Sequence, residues 1–318
     1  MVATVDRYRA LSFWHDTVPD DLTPRAPLPC DADVDVAVVG GGLTGLWTAW
    51  YLLERDPSLR IAVLDKHIAG FGASGRNGGW CSALFPRSTA SLERSHGREA
   101  ALAMRRAMVQ TVEEVGAVAE RAGLDIDYAR GGTVAFARSA HQLRAARAEV
   151  EEAIGFGVDR LELWGPERVR AAGALGAAFD PACARIHPAK LVRGLARALE
   201  TRGVVIHEQT DVHDWSPGRV HTAHGDVRAD AIVLALEGYG ATTRQLHRRI
   251  LPLYSLMIAT EPLPDTVWDE IGTILALNIV CGFILVDVVF IVGFVIKQHE
   301  NYNQVFGKPS WNILLFSL

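Results

Sequence analysis

Gly40, Gly42 and Gly45 stand in G-x-G-x-x-G spacing, and Asp65 follows twenty residues beyond the last of them. Glycines so placed can hold a pyrophosphate. The first permits a sharp turn, the second removes a side chain that would block the phosphates, and the third lets the next helix pack close to the preceding strand. Leu43 and Thr44 lie in the first turn of that helix, where unpaired amides face an anion. Asp65, with Lys66 beside it, offers a carboxylate to ribose hydroxyls. A second glycine-rich run, Gly70–Gly79 (GFGASGRNGG), sets Ser74 and Asn77 among Gly72, Ala73, Gly75, Gly78 and Gly79. Backbone and short polar side chains can there converge on a ligand that is both planar and polar. Arg76 in the same run reads two ways: as a cation for pyrophosphate or a substrate carboxylate, or as a brace for the loop through a surface carboxylate. Trp80 and Cys81 come next, and for each a core role is simpler than a chemical one.

These residues need a strand before them, a helix between them and a strand leading to the acid. Val34, Val36, Val38 and Val39 read as a buried parallel strand, and Leu43, Leu46, Trp47, Trp50 and Leu53 give the apolar side of a helix. Arg60–Leu64 is the strand that ends at Asp65. Strand, helix, strand and terminal acid in register point to dinucleotide binding; a glycine-rich turn that binds nothing is the plain alternative. Ahead of this unit, residues 1–32 form a polar leader whose second half, with Pro19, Pro24, Pro27 and Pro29, is predicted to be an extended arm. Beyond it, periodicity predicts a long helix over 92–122, short strands over Asp125–Tyr128 and Gly132–Ala137, and helices over 139–155 and 165–172. His187–Gly203 predicts a helix opened by Pro188 and stopped by Gly203. A strand Val204–His207, a hairpin through Pro217–Gly218 and a strand Ala231–Leu236 follow.

The chain of 318 residues is long enough for two domains, and its 49% hydrophobic content is that of an ordinary folded protein. A formal charge of -5 gives no electrostatic reason to expect a nucleic acid partner. Arg105 with Arg106, and Arg248 with Arg249, read as solvated faces or small anion contacts. Cys30, Cys81, Cys183 and Cys281 form no C-x-x-C, which implies reduced thiols and a cytoplasmic setting. The first residues contain no apolar signal core, so export by a cleaved signal is not expected. The histidines show no ligand spacing, and no metal is expected.

From Ile271 the composition changes. Ile271–Ile296 carries Asp287 as its only charge, and at about 1.5 Å per residue its length exceeds the roughly 30 Å of a bilayer core. Asp287 adds roughly 2.5–3.5 kcal/mol to the cost of insertion, which the surrounding Ile, Val, Leu and Phe can offset. A membrane-spanning helix, with the large domain cytoplasmic, and a buried apolar tail both remain open.

The fingerprint followed by GASGRNGG resembles the D-amino-acid-oxidase-like family of FAD-dependent oxidoreductases, most nearly its glycine, sarcosine and gamma-glutamylputrescine oxidase branch. The resemblance covers about residues 33–265. It implies that Gly40, Gly42 and Gly45 hold the FAD pyrophosphate, that Asp65 takes the place of the family's acidic residue, and that Gly72–Gly79 pass beside the ribityl chain and ring. It further implies that Thr210–Val212 contact adenine through backbone, with Val212 a cofactor-binding residue, and that Ala235 and Gly238 lie on a loop passing the cofactor. Pro188, Leu191, Gly194 and Leu195 match the family's P-x-x-L-x-x-G-L helix. Past Glu261–Pro264 the family's glycine-rich, flavin-covering segment has no counterpart, so residues 271–318 read as an atypical tail.

The resulting expectation is an α/β fold. A Rossmann-like FAD-binding domain is assembled from 33–90 and 180–240, and an α+β substrate domain from 91–179 and 241–270 is inserted in it. The implied activity is oxidation of a primary or secondary amine or amino acid to an imine, with dioxygen reduced to peroxide. Arg76 and Tyr254, the latter on a predicted strand Leu253–Thr260, are the candidate substrate contacts. A membrane-associated dehydrogenase passing electrons to quinone, and an inactive FAD-binding remnant, are the alternatives.

Overall fold

The computed structural model describes residues 2–252 except 159 and 170–172, together with the isolated positions 264 and 266. Tyr254, the predicted strand Leu253–Thr260, most of Glu261–Pro264, the apolar run Ile271–Ile296 and Cys281 lie outside the described residues. Among the described residues, no helix is long and apolar enough to cross a membrane.

The chain opens with two helices, Val2–Arg9 (α1) and Phe13–Thr17 (α2), before the extended arm. Strand Ala32–Val39 (β1), helix Leu43–Arg55 (α3) and strand Ile61–Leu64 (β2) then form the expected unit. A one-turn helix Ala73–Arg76 (α4) and strand Trp80–Ser82 (β3) complete the second glycine run. Next come helices Thr89–His96 (α5) and Arg98–Arg121 (α6), strands Ala129–Arg130 (β4) and Thr133–Ala137 (β5), and helix Ala140–Phe156 (α7). Strand Glu162–Trp164 (β6), helix Pro166–Val169 (α8) and strands Gly176–Asp180 (β7) and Cys183–Arg185 (β8) lead to helix Pro188–Thr201 (α9). Strands Val205–His207 (β9), Val212–Ser216 (β10), Arg219–Thr222 (β11) and Gly225–Leu234 (β12) end the regular structure, followed by a 3-10 turn over Glu237–Thr242.

A six-stranded sheet runs β10-β11-β12-β1-β2-β9, with β12, β1, β2 and β9 mutually parallel. The strands expected around 34–39, 60–64, 204–207 and 231–236 therefore share one sheet. Every residue of β2 and the second half of β1 is buried, as parallel strands covered on both faces must be. Leu46 and Leu53 of α3 and Leu191, Leu195 and Leu199 of α9 cover one face, while Leu28 from the arm packs on the other with Val220 and Val227. Two three-stranded antiparallel sheets, β3-β8-β4 and β5-β7-β6, stand apart from the parallel one.

Several local expectations are corrected. The single helix over 92–122 is two, because Gly97 sits at φ +83 between α5 and α6. No strand spans Asp125–Tyr128: Asp127 takes φ +54 and pairing begins only at Ala129. The helix over 165–172 is seen only as α8, with 170–172 outside the described residues. β12 starts six residues before Ala231 because it is also the hairpin partner of β11. Arg105 is not solvated; it is 8% exposed and donates to Ala83 O at 3.1 Å. Trp80, expected in the core, is 51% exposed, whereas Cys81 is partly buried and packs against the core beside Ala83, Val112 and Ala184. Burial pushes the Cys81 thiol up to about 12, which keeps it protonated and unreactive.

Candidate functional site

The carboxyl ends of β1, β2, β9 and β12 converge on one edge of the parallel sheet, the edge where ligands bind in open α/β sheets. β1 stops at Gly40, whose φ of +113 few side chains tolerate and whose amide donates to Leu64 O at 2.9 Å. A Cβ on Gly40 would lie 2.3 Å from Ala235 O, the carbonyl just beyond β12. A Cβ on Gly45 would lie 2.1 Å from Gly40 O and 2.9 Å from Val38 Cγ1, so only glycine lets α3 sit this close to β1. On Gly42 it would lie 2.8 Å from Ser74 Oγ. Thr44 is exposed in the first turn of α3.

Asp65 terminates β2 and folds back on the fingerprint. Its Oδ2 accepts from Gly41 N and its Oδ1 from His67 N, each at 2.7 Å. Burial raises its carboxyl to about 6, although both amide donors favour the charged form. Lys66 turns outward and pairs with Asp211 at 2.8 Å. Thr210 N donates to Asp65 O at 2.8 Å, so this contact and the Lys66–Asp211 pair draw the segment leading to Val212 against the end of β2.

The second glycine run is joined to the first by Ser74. Its Oγ accepts from Leu43 N at 2.8 Å, and Gly70 N donates to Gly41 O at 3.0 Å. Gly75 is buried with its Cβ position 2.1 Å from Gly70 O. Asn77 serves the loop itself: Nδ2 donates to Ala73 O and Ser74 O, and Oδ1 accepts from Gly79 N at 2.8 Å. Gly78 is partly buried between Asn77 and Gly79. Arg76 braces the loop, but through aromatic groups rather than a carboxylate. Its Nη2 donates to Tyr239 OH at 3.3 Å and its guanidinium lies 5.2 Å from the centre of the Phe71 ring. Tyr239 in turn crowds Gly72, where a Cβ would lie 2.9 Å from Cε2. Gly238 stands in the same 3-10 turn.

These observations fit a flavin dinucleotide. Glycine backbone lines the approach where Cβ atoms would collide, a carboxylate ends β2, and the Ser74 hydroxyl, having accepted from Leu43 N, keeps its proton for an acceptor such as a phosphate oxygen. Ser74→Ala is expected to lower stability by about 1 kcal/mol and to speed FAD release; stopped-flow flavin fluorescence against thermal melting separates the two effects.

Sequence reasoning missed the residues that buttress this edge from the N-terminus. Trp14 Nε1 donates to Asn77 O at 2.8 Å, and its ring meets the His187 ring edge-on at 4.8 Å. His187 caps α9: its Nδ1 accepts from Lys190 N at 3.2 Å. Thr17 Oγ1 donates to Phe13 O, so it accepts from His187 Nε2–H at 3.1 Å, which fixes the neutral tautomer. His15, 1% exposed, bonds Ser12 Oγ through Nδ1 at 2.9 Å. Burial lowers both rings to about 4, helped at His15 by the Arg76 charge and at His187 by Lys190. A histidine depressed in the folded state stabilises above its unfolded pKa of about 6.5, and that stability is lost as pH falls through 4, on the order of 3 kcal/mol per ring. Thermal melts from neutral to pH 4 should fall accordingly. In His187→Asn, which keeps a cap acceptor, they should fall less.

The pattern of the FAD dependent oxidoreductase family (DAO) matches residues 35–288, reaching further than the resemblance read from the motifs. The chain is 32% identical over 240 residues to gamma-glutamylputrescine oxidoreductase of Escherichia coli, covering 73% of this chain and 56% of that protein. It resembles the crystal structure of glycine oxidase from Geobacillus kaustophilus, with 27% identity and a TM-score of 0.56 over 72% of this chain and 61% of that one. L-proline dehydrogenase from P. horikoshii, at 18% identity and a TM-score of 0.58 over 73% and 62%, shares the fold. The chain thus spans less than two thirds of the length of these relatives. With two glycine loops meeting at the carboxyl edge of a parallel sheet and a family match over most of its length, the chain belongs to the FAD dependent oxidoreductase (DAO) family.

Proposed function

We propose that this chain binds FAD across the two glycine loops and oxidises a primary or secondary amine or amino acid to the imine, with dioxygen as electron acceptor. The observation that carries the reading is the Ser74 Oγ···Leu43 N contact, which makes one cradle of the fingerprint and the GASGRNGG loop. The names of the relatives, an oxidoreductase for gamma-glutamylputrescine and an oxidase for glycine, support an amine substrate.

Bound FAD supplies the two-electron oxidation. The chain's own residues bind and orient. Glycine amides at the start of α3 and the Ser74 hydroxyl hold the pyrophosphate. The Asp65 carboxylate accepts from ribose hydroxyls, and each such bond favours its charged form over the raised value of the free chain. Val212 backs the adenine end, while Ala235 and Gly238 flank the path after β12. No side-chain base is required when the amine arrives neutral, so the protein contributes position and electrostatics. The test is to load the purified chain with FAD and add glycine, L-proline or gamma-glutamylputrescine without air. Bleaching of the visible flavin band and its return with peroxide on admitting air is the expected result. A tightly bound flavin that no amine bleaches overturns the activity, and recovery only with a quinone reassigns the acceptor.

A further inference from the structure

Helix α2 brings one enclosed polar ring to the back of the second glycine loop. His15 is 1% exposed, and its Cε1 lies 3.1 Å from where a Cβ on Gly75 would stand. That same position is 2.1 Å from Gly70 O, so the ring, Gly75 and the Gly70 carbonyl meet in one place. The Gly70 carbonyl hydrogen-bonds the ring, and a carbonyl can only accept. Nε2 therefore carries the proton, while Nδ1 takes the Ser12 hydroxyl at 2.9 Å. Burial keeps the ring neutral, helped by the groups that face it, Arg76 of α4 and Arg193 and His187 of α9. Arg193 is itself paired with Asp20 and Glu208.

Gly70 is where the two glycine loops touch. Its N–H donates to Gly41 O of the fingerprint at 3.0 Å, and Gly41 N in turn donates to Asp65 Oδ2. A Cβ on Gly70 would lie 2.3 Å from Val192 Cγ1 of α9, and its φ is +83. A residue that must lack a side chain can be held only by its backbone. The fingerprint takes the amide of Gly70, and His15 takes its carbonyl. The helix that carries His15 is itself tied down. Arg9 of α1 donates to the carbonyls of Asp16, Val18 and Asp20 at 3.1, 3.3 and 3.0 Å, and Trp14 Nε1 holds Asn77 O at the far end of the loop.

We propose that His15 is a positioning residue for the flavin site: as an N–H donor to Gly70 O it fixes the join between the two glycine loops and so sets how long FAD stays bound. Retention of FAD rests on the cofactor reading above, whereas the ordering of the loop needs only the chain. Two measurements on the full chain separate them, hydrogen–deuterium exchange over residues 66–80 without FAD and stopped-flow release of FAD from the loaded protein. H15F and H15L remove the donor with and without a ring in its place, so the test survives if one of them does not fold. H15Q keeps an amide N–H for Gly70 O and an oxygen for Ser12. Val150→Ala, which thins the cluster of α7 with Ala178, lowers stability without altering either loop. H15F and H15L should raise both rates about ten- to a hundredfold. H15Q should return both close to native, and Val150→Ala should move neither. Unchanged exchange in the forms that lack the donor, an equal rise in Val150→Ala, or no recovery in H15Q overturns the proposal, as does faster exchange with unchanged FAD release. If exchange behaves as stated but the native chain retains no FAD, the cofactor reading falls and the anchoring of the loop by His15 stands.

Discussion

Glu208→Ala should lower the free energy of unfolding by about 3–5 kcal/mol, a large fraction of what a domain has to lose. The Glu208 carboxylate is fully enclosed just after β9. Its Oε1 accepts from Ala69 N at 2.7 Å, Arg25 Nη1 at 2.8 Å and Arg193 Nη1 at 3.2 Å, and its Oε2 accepts from Arg25 N at 2.7 Å. Alanine orphans two amides and removes the shared counter-charge of two arginines. The arginines keep second partners, Glu200 for Arg25 and Asp20 for Arg193, which limits the loss. Urea unfolding measures it. Because Ala69 N leads into the second glycine loop, FAD retention should fall with stability, and Glu208→Gln, which keeps one acceptor oxygen, should lie between.

The second large effect is expected at Gly40. Alanine there must adopt φ +113, at about 1–3 kcal/mol. It must also place Cβ 2.3 Å from Ala235 O, and the backbone shift that relieves this costs about 1–3 kcal/mol more. The shift opens the end of the β1–β12 ladder, so the variant should purify without flavin as well as melt early. Gly218→Ala is the control. Gly218 has φ +75 at the β10–β11 turn, with its Cβ position 3.7 Å from the nearest atom. It carries the backbone strain without the collision and should lose about 1 kcal/mol with flavin binding intact.

How far the sequence reveals the site depends on the distance over which its residues cooperate. The fingerprint, α3, β2 and Asp65 form one local unit, so spacing and periodicity suffice to find them. The same holds for α7, with its Ser139–Gln142 capping box, and for α9 with Pro188 in its first turn. The helices α1 and α2 are short, eight and five residues, and what holds them is contact with residues far away, such as Trp14 on Asn77 and Tyr8 on Gln209. Local pattern carries no trace of that. The Glu208 network joins positions up to 183 apart, and in sequence Glu208 is only an acid after a strand. Ser74 was legible as polar among glycines, but its bond to Leu43 N is a tertiary fact. Gly97 and Asp127 show the limit of periodicity, since one left-handed residue ends an element whose apolar pattern continues.

Ala32 of β1 pairs with Val227 of β12, 195 residues downstream. During synthesis β1 therefore leaves the ribosome long before β12, and its pairing waits for the 195 residues between the two to emerge. β2 can cover one side early through the local βαβ unit, but the other side presents the bare backbone of Val36–Val39 until Ala231–Leu234 emerges. An open apolar edge invites pairing with other chains, and long-range parallel pairing is slow. The pairing of the strand that ends at the first glycine loop is thus a step exposed to aggregation during biogenesis. Shielding β1 by a chaperone until β12 arrives would govern how much of this chain reaches its folded form.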